Sequence, residues 1–195
     1  SRGLVGSEMC IRDRISSMEN KLIWLDLEMT GLDPNSERII EIFTAVTDEN
    51  LTEIIEGPDL VIKQPNEILD QMDEWNQEHH KKSGLIDEVK RSVITQEDAE
   101  AMTLDFLSQH VGKNVSPLCG NTVWHDRKFL TLYMPQLEDY FHYRVIDVSS
   151  VKELTKRWRP DATKPKSKEI AHRARPDVFE SIEELRFYRD HIFAQ

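Results

Sequence analysis

Residues 22 to 31, Leu-Ile-Trp-Leu-Asp-Leu-Glu-Met-Thr-Gly, set the terms on which this chain can fold. Leu22, Ile23, Trp24 and Leu25 form an apolar run that gives way to the turn signal Gly31-Leu32-Asp33-Pro34, so the stretch reads as a strand with a bend behind it. Side chains alternate across a strand, and Asp26 and Glu28 therefore point into the same space. Two close, partly desolvated carboxylates repel: one takes up a proton or the pair shares a counter-ion. Carboxylate oxygens suit Mg²⁺ or Mn²⁺. The pair alone fits equally a strand whose polar side faces water, although Leu27 between the acids and Trp24 before them favour a buried strand end.

At 195 residues the chain is long enough for one domain with a proper core. Residues 20–195 are assigned to that domain. Residues 1–19 show neither helical nor strand period and read as a leader or a non-native extension. No apolar run approaches the ~20 residues needed to cross a bilayer, so no membrane partner is expected. The net charge of -11 repels long nucleic acid at a distance, and a nucleic-acid role must work through a local, cation-bearing site. Cys10 and Cys119 make no disulfide framework, which points to a reducing compartment: the cytoplasm, or a mitochondrion if the source is eukaryotic.

Beyond Gly31, residues 37–48 and 51–63 are rich in β-branched side chains and predict, with the first strand, a three-stranded antiparallel meander. Ile68, Leu69, Met72 and Trp75 fall at helical spacing, in a helix predicted to stop at Ser83-Gly84. Thr95 to Asp98 resembles a capping box that opens a helix reaching Val111. A short strand at 117–121, a helix from Trp124 to Met134, a strand at 143–148 and a helix over 150–158 begun by Ser150 and Glu153 follow. Residues 159–171 read as loop, and 177–193 as a closing helix. Three strands, then helices alternating with two more strands, predict an α/β (α+β) fold with a mixed five-stranded sheet flanked by helices.

Further acidic positions have distinctive surroundings. Asp126 lies near a helix start just beyond a strand end, a place where the helix dipole alone also favours an acid. Asp177 follows Pro176 at another helix start, with His172 upstream in the loop. Asp26-x-Glu28, Asp126, His172 and Asp177 together resemble the DEDDh class of 3′-to-5′ exonucleases, whose last motif His-x-Ala-x-x-Asp is matched by His172-Arg173-Ala174-Arg175-Pro176-Asp177. Leu25 to Leu32, Met72 to Asn76, Cys119-Gly120-Asn121 and Phe141 to Ser149 place the resemblance within the oligoribonuclease family, over roughly residues 21 to 193.

The resemblance implies a ribonuclease-H-like fold and hydrolysis of very short RNA, dinucleotides above all, to 5′ mononucleotides. It implies two divalent cations, Mg²⁺ or Mn²⁺, held by Asp26, Glu28, Asp126 and Asp177, with His172 as general base towards the attacking water. By the same resemblance Leu32 and Trp75 pack against the bases, and Thr122, Arg144 and Ser149 hold the 5′ phosphate. Tyr143 and His80 are expected to reach the site from a second subunit of a homodimer. Taken without the family, Leu32 is equally a turn residue, Trp75 a helix-core residue and Tyr143 a strand aromatic. Arg175 and Pro176 depart from the family, which usually carries an apolar residue and then Asp there; Arg175 is expected to bring a cation beside the metal cluster. Two rival readings follow: a DEDDh exonuclease for longer RNA or DNA, and a homologue that binds short nucleotides without cutting them.

Overall fold

The computed structural model describes residues 20–162 and 172–193. Its first strand, β1 (Leu22–Met29), is the middle of five, in the order β3-β2-β1-β4-β5. β2 (Ile39–Thr47) pairs antiparallel with β1, and β3 (Ile54–Val61) pairs antiparallel with β2, which is the meander the β-branched runs predicted. β4 (Leu118–Gly120) and β5 (Val145–Asp147) add two parallel strands on the other side of β1.

All nine residues of β2 are buried, so helices cover both faces of the sheet. The alternation along β1 divides the core between those faces. Ile23, Leu25 and Leu27 join Leu107, Phe129 and Leu130 on one side. Trp24 points to the other, where Val178, Ile182 and Tyr188 of the last helix pack, and its indole N–H donates to Thr47 Oγ1 at 3.0 Å. Asp26 and Glu28 continue the Trp24 face, so β1 offers its acids to that helix.

Eight α-helices complete the described residues. The run around Met72 is not one helix: α1 (Asn66–Asp70) and α2 (Glu74–Lys82) are separated because Asp73 leaves the helical path and accepts the Asn76 N–H at 2.8 Å as an N-cap. Gly84, at φ +81°, ends α2 and opens α3 (Leu85–Arg91), a helix the sequence pattern did not predict. α4 (Gln96–His110) begins with the predicted capping box at Thr95 and Asp98. α5 (Val123–Tyr133) stops before Pro135, which starts the short α6 (Pro135–Glu138). α7 (Val148–Trp158) is capped by Asp147 and not by Ser150; Glu153 instead pairs with Lys156 and Arg157. α8 (Ala174–His191) starts three residues before Asp177, and Pro176 is accommodated in its first turn, where backbone N–H groups have no helical partner. Residues 1–19 and residues 163–171, most of the stretch predicted as loop, lie outside the described residues. No helix among the described residues is long and apolar enough to cross a membrane.

Candidate active site

β1 and the first turn of α8 bring Asp26, Glu28 and Asp177 together, with one oxygen from each within 4.8 Å of the others. Burial and mutual repulsion set their chemistry. Asp26 is pushed well above the ordinary carboxylate range, first by burial and then by Asp126, Glu28 and Asp177. Burial, Asp177 and Glu41 raise Glu28 to about 8, against the pull of Arg173. Asp177 rises to about 7 through burial, with Glu180 and Glu41 adding to it. Such a trio keeps protons unless positive charge arrives, and three oxygen donors at this separation fit hard divalent cations.

Asp126 stands beside the trio rather than within it. Its Oδ1 accepts the Leu27 N–H at 3.0 Å, which ties α5 to the end of β1 and leaves Oδ2 for other work. Burial raises its pKa, and its charge in turn raises that of Asp26. The close approach of β4 to β1 helps to seat α5: a Cβ on Gly120 would lie 2.9 Å from the Leu25 carbonyl oxygen, so only glycine fits without a shift.

Two acids and an arginine to which the motifs give no role hold this arrangement. Glu41 on β2 is fully buried and lies directly opposite Glu28 in the β1–β2 register. Its Oε1 accepts from Arg173 Nε at 2.8 Å and its Oε2 from the Ala174 N–H at 3.0 Å, so a sheet residue caps the start of α8. Arg173 also donates through Nη1 and Nη2 to both oxygens of Glu88 on α3. The only sequence signal for Glu41 was an acid inside an apolar strand. Arg175 turns away from the trio, towards Glu56 of β3 at 2.8 Å and over the Phe179 ring. The expected cation beside the metal cluster is therefore not Arg175, because β3 offers that guanidinium an exposed carboxylate.

His80 corrects an expectation as well. It does not need a second subunit: the last turn of α2 lies over the end of β1 and buries His80 in its own chain's site. Its Nε2 is 2.9 Å from the Met29 carbonyl, which can only accept, so Nε2 carries the proton. Nδ1 is buried without a hydrogen-bond partner, 3.9 Å from Glu28 Oε2. Burial lowers the His80 pKa, against the pull of the Met29 carbonyl and Glu41, which disfavours an ion pair at this contact.

His172 is exposed and packs edge-on against Trp75 and His79. Trp75 is 56% exposed and Leu32 77% exposed, two large apolar surfaces left in water at the turn after β1 and at the start of α2. The Leu32 carbonyl is held by His125 Nε2 at 2.8 Å. At the end of β5, Asp147 gathers the other predicted residues: its Oδ1 accepts from the N–H of Thr122 and from both the N–H and the hydroxyl of Ser149. Thr122 adopts a left-handed conformation at φ +56°, which is costly for a β-branched residue and marks a position over-determined by its surroundings. Arg144 is exposed and lies over the Tyr143 ring at 5.4 Å; Tyr143 itself is 73% exposed.

Comparison with known proteins fits this geometry. An exonuclease family model matches residues 23–185. An oligoribonuclease of Chromobacterium violaceum is 54% identical over 173 residues, covering 89% of this chain and 96% of that protein. Those of Shewanella amazonensis (56%, covering 88% of this chain and 95% of that protein) and Bordetella pertussis (52%, covering 91% and 98%) are similar. Among solved structures, exonuclease I from Methylocaldum szegediense aligns with a TM-score of 0.64 at 17% identity, over 88% of this chain and 41% of that one. The zinc-ion-bound complex of E. coli exonuclease I with single-stranded DNA gives 0.67 at 14% identity, over 89% and 41%. The chain thus spans about two fifths of the length of those structures, which share its fold.

Proposed function

The chain belongs to the oligoribonuclease family of exonucleases, and from that premise we propose that it hydrolyses very short single-stranded RNA, dinucleotides above all, from the 3′ end to 5′ mononucleotides. The observation that carries the chemistry is the convergence of Asp26, Glu28 and Asp177 within 4.8 Å. These three, with the free oxygen of Asp126, would hold two divalent cations, Mg²⁺ or Mn²⁺. Bound there, the cations supply Lewis acidity and offset the charge that builds on the phosphate.

The remaining work falls to side chains. His172, whose exposed imidazole can accept a proton, takes the one released by the attacking water. Leu32 and Trp75 pack against the bases through contacts that every base can make. Arg144, Thr122 and Ser149 grip the 5′ phosphate; the Ser149 hydroxyl must swing from Asp147 to do so. Capping that phosphate limits substrate length, and Tyr143 of a second subunit closes the site in a homodimer. The exposure of Tyr143 and Arg144 supports that reading, as does the acidic surface, which disfavours long nucleic acid. The cytoplasm is the compartment in which such fragments and a chain with no disulfide framework belong.

The test is turnover of a 5′-labelled RNA dinucleotide with Mn²⁺, set beside His172→Ala and a seven-nucleotide RNA. Rapid loss of the dinucleotide, abolished in the variant and much slower on the longer RNA, supports the proposal. Equal rates on both lengths would replace it with an exonuclease for longer strands. Tight dinucleotide binding without turnover would replace it with a binding protein.

A further inference from the structure

Consecutive residues on α2 point in different directions, and here the difference matters. His80 turns inward to Glu28, whereas His79 turns back along the helix onto Trp75. The two rings are nearly parallel, with centroids 3.8 Å apart and planes 23° apart. The imidazole is fixed there by a second contact: Nδ1 is 2.7 Å from the Trp75 carbonyl oxygen, so Nδ1 carries the proton and the ring cannot flip without losing that bond. The edge of the stack meets His172, with centroids 5.1 Å from His79 and 5.8 Å from Trp75.

We propose that His79 is a positioning residue that backs one face of Trp75, leaves the other for a nucleobase, and through the same ring holds His172 beside the bound nucleotide. The proposal rests on the functional reading above, in which Trp75 is the stacking platform and His172 the general base. An exposed indole alone on a helix surface samples several rotamers and loses that freedom when a base stacks on it. With His79 against it, the ring is ordered before the substrate arrives. His172 gains an aromatic wall in place of open solvent, so the platform and the base are set by one side chain.

The experiment measures KM and kcat for an RNA dinucleotide with Mn²⁺, and the thermal midpoint, in the full chain and in Trp75→Ala, His79→Ala and His79→Phe. An aromatic contact of this kind corresponds to roughly three- to tenfold in an equilibrium constant. His79→Ala is expected to raise KM by about that factor and to lower kcat by about threefold, as His172 loses its neighbour. His79→Phe, which keeps the stack and the edge contact without the nitrogen, is expected to recover most of both losses. If Trp75→Ala leaves KM unchanged, the platform reading itself fails and takes this proposal with it. If Trp75→Ala raises KM while His79→Ala does not, only the role of His79 is overturned. That role is overturned too if Phe fails to rescue and the losses track the thermal midpoint, for then His79 merely stabilises α2.

Discussion

Glu28→Gln offers the sharpest check on the electrostatics of the carboxylate trio. In the metal-free protein Glu28 titrates near 8, whereas in the unfolded chain it returns to its ordinary 4.5. Between those values the folded state binds the proton that the unfolded state has released, so this group's contribution to stability is fully present below 4.5 and is lost as pH rises through about 8. At about 1.4 kcal/mol per pH unit, the loss amounts to about 1 kcal/mol at pH 5, about 3 at pH 7 and about 4 at pH 8. Glutamine mimics the protonated acid in size and neutrality. It should therefore leave the fold little changed at pH 5 and make it more stable than the wild type by a margin that widens towards pH 8. Removing the Glu28 charge also relieves Asp26, which adds to the margin in the same direction. Urea unfolding in EDTA at pH 5, 6, 7 and 8 measures that difference directly. With Mn²⁺ at pH 8 the order should reverse, because the wild type gains a ligand-linked term that the variant loses. A difference that stays flat with pH, or that favours the wild type as pH rises in EDTA, would refute the reasoning.

Three other outcomes are expected. His172→Ala should lower kcat by about 10²- to 10⁴-fold while calorimetry shows Mn²⁺ still binding, since the trio does not include it. Arg173→Met should destabilise the protein by about 3 kcal/mol in chemical denaturation, because it leaves the fully buried Glu41 without its cation; adding Glu41→Gln should recover part of that loss. Gly120→Ala should cost about 1–3 kcal/mol, read as a lower urea midpoint, since its Cβ would press on the Leu25 carbonyl and push β4 from β1.

Much of the fold was legible because its signals are local. The β-branched runs at 37–48 and 51–63, which fold as β2 and β3, and the box at Thr95 and Asp98 act over a few residues and read true. Where reading slipped, a tertiary choice had overridden a periodic pattern. Ile68 to Trp75 keeps helical spacing, yet Asp73 caps a new helix, and Ser150 resembles a cap although Asp147 takes that role while also holding Thr122. In the site, the motifs named Asp26, Glu28 and Asp177, which the structure brings together. They could not name Glu41 or Arg173, whose roles depend on a cross-strand register and a helix start far apart in sequence. Nor could they place His80, since the spacing of the chain does not say which subunit's sheet a helix end will cover.

The docking of α8 on Glu41 carries a consequence for the chain as it is made. Asp26 and Glu28 leave the ribosome early, but the third member of their trio arrives only when residue 177 has emerged and Ala174 has found Glu41 across the sheet. Until then the strand end has two carboxylates and no third donor, and burying them is unfavourable. Because the site is assembled from both ends of the fold, its three oxygen donors come together only when nearly all of the domain has been made.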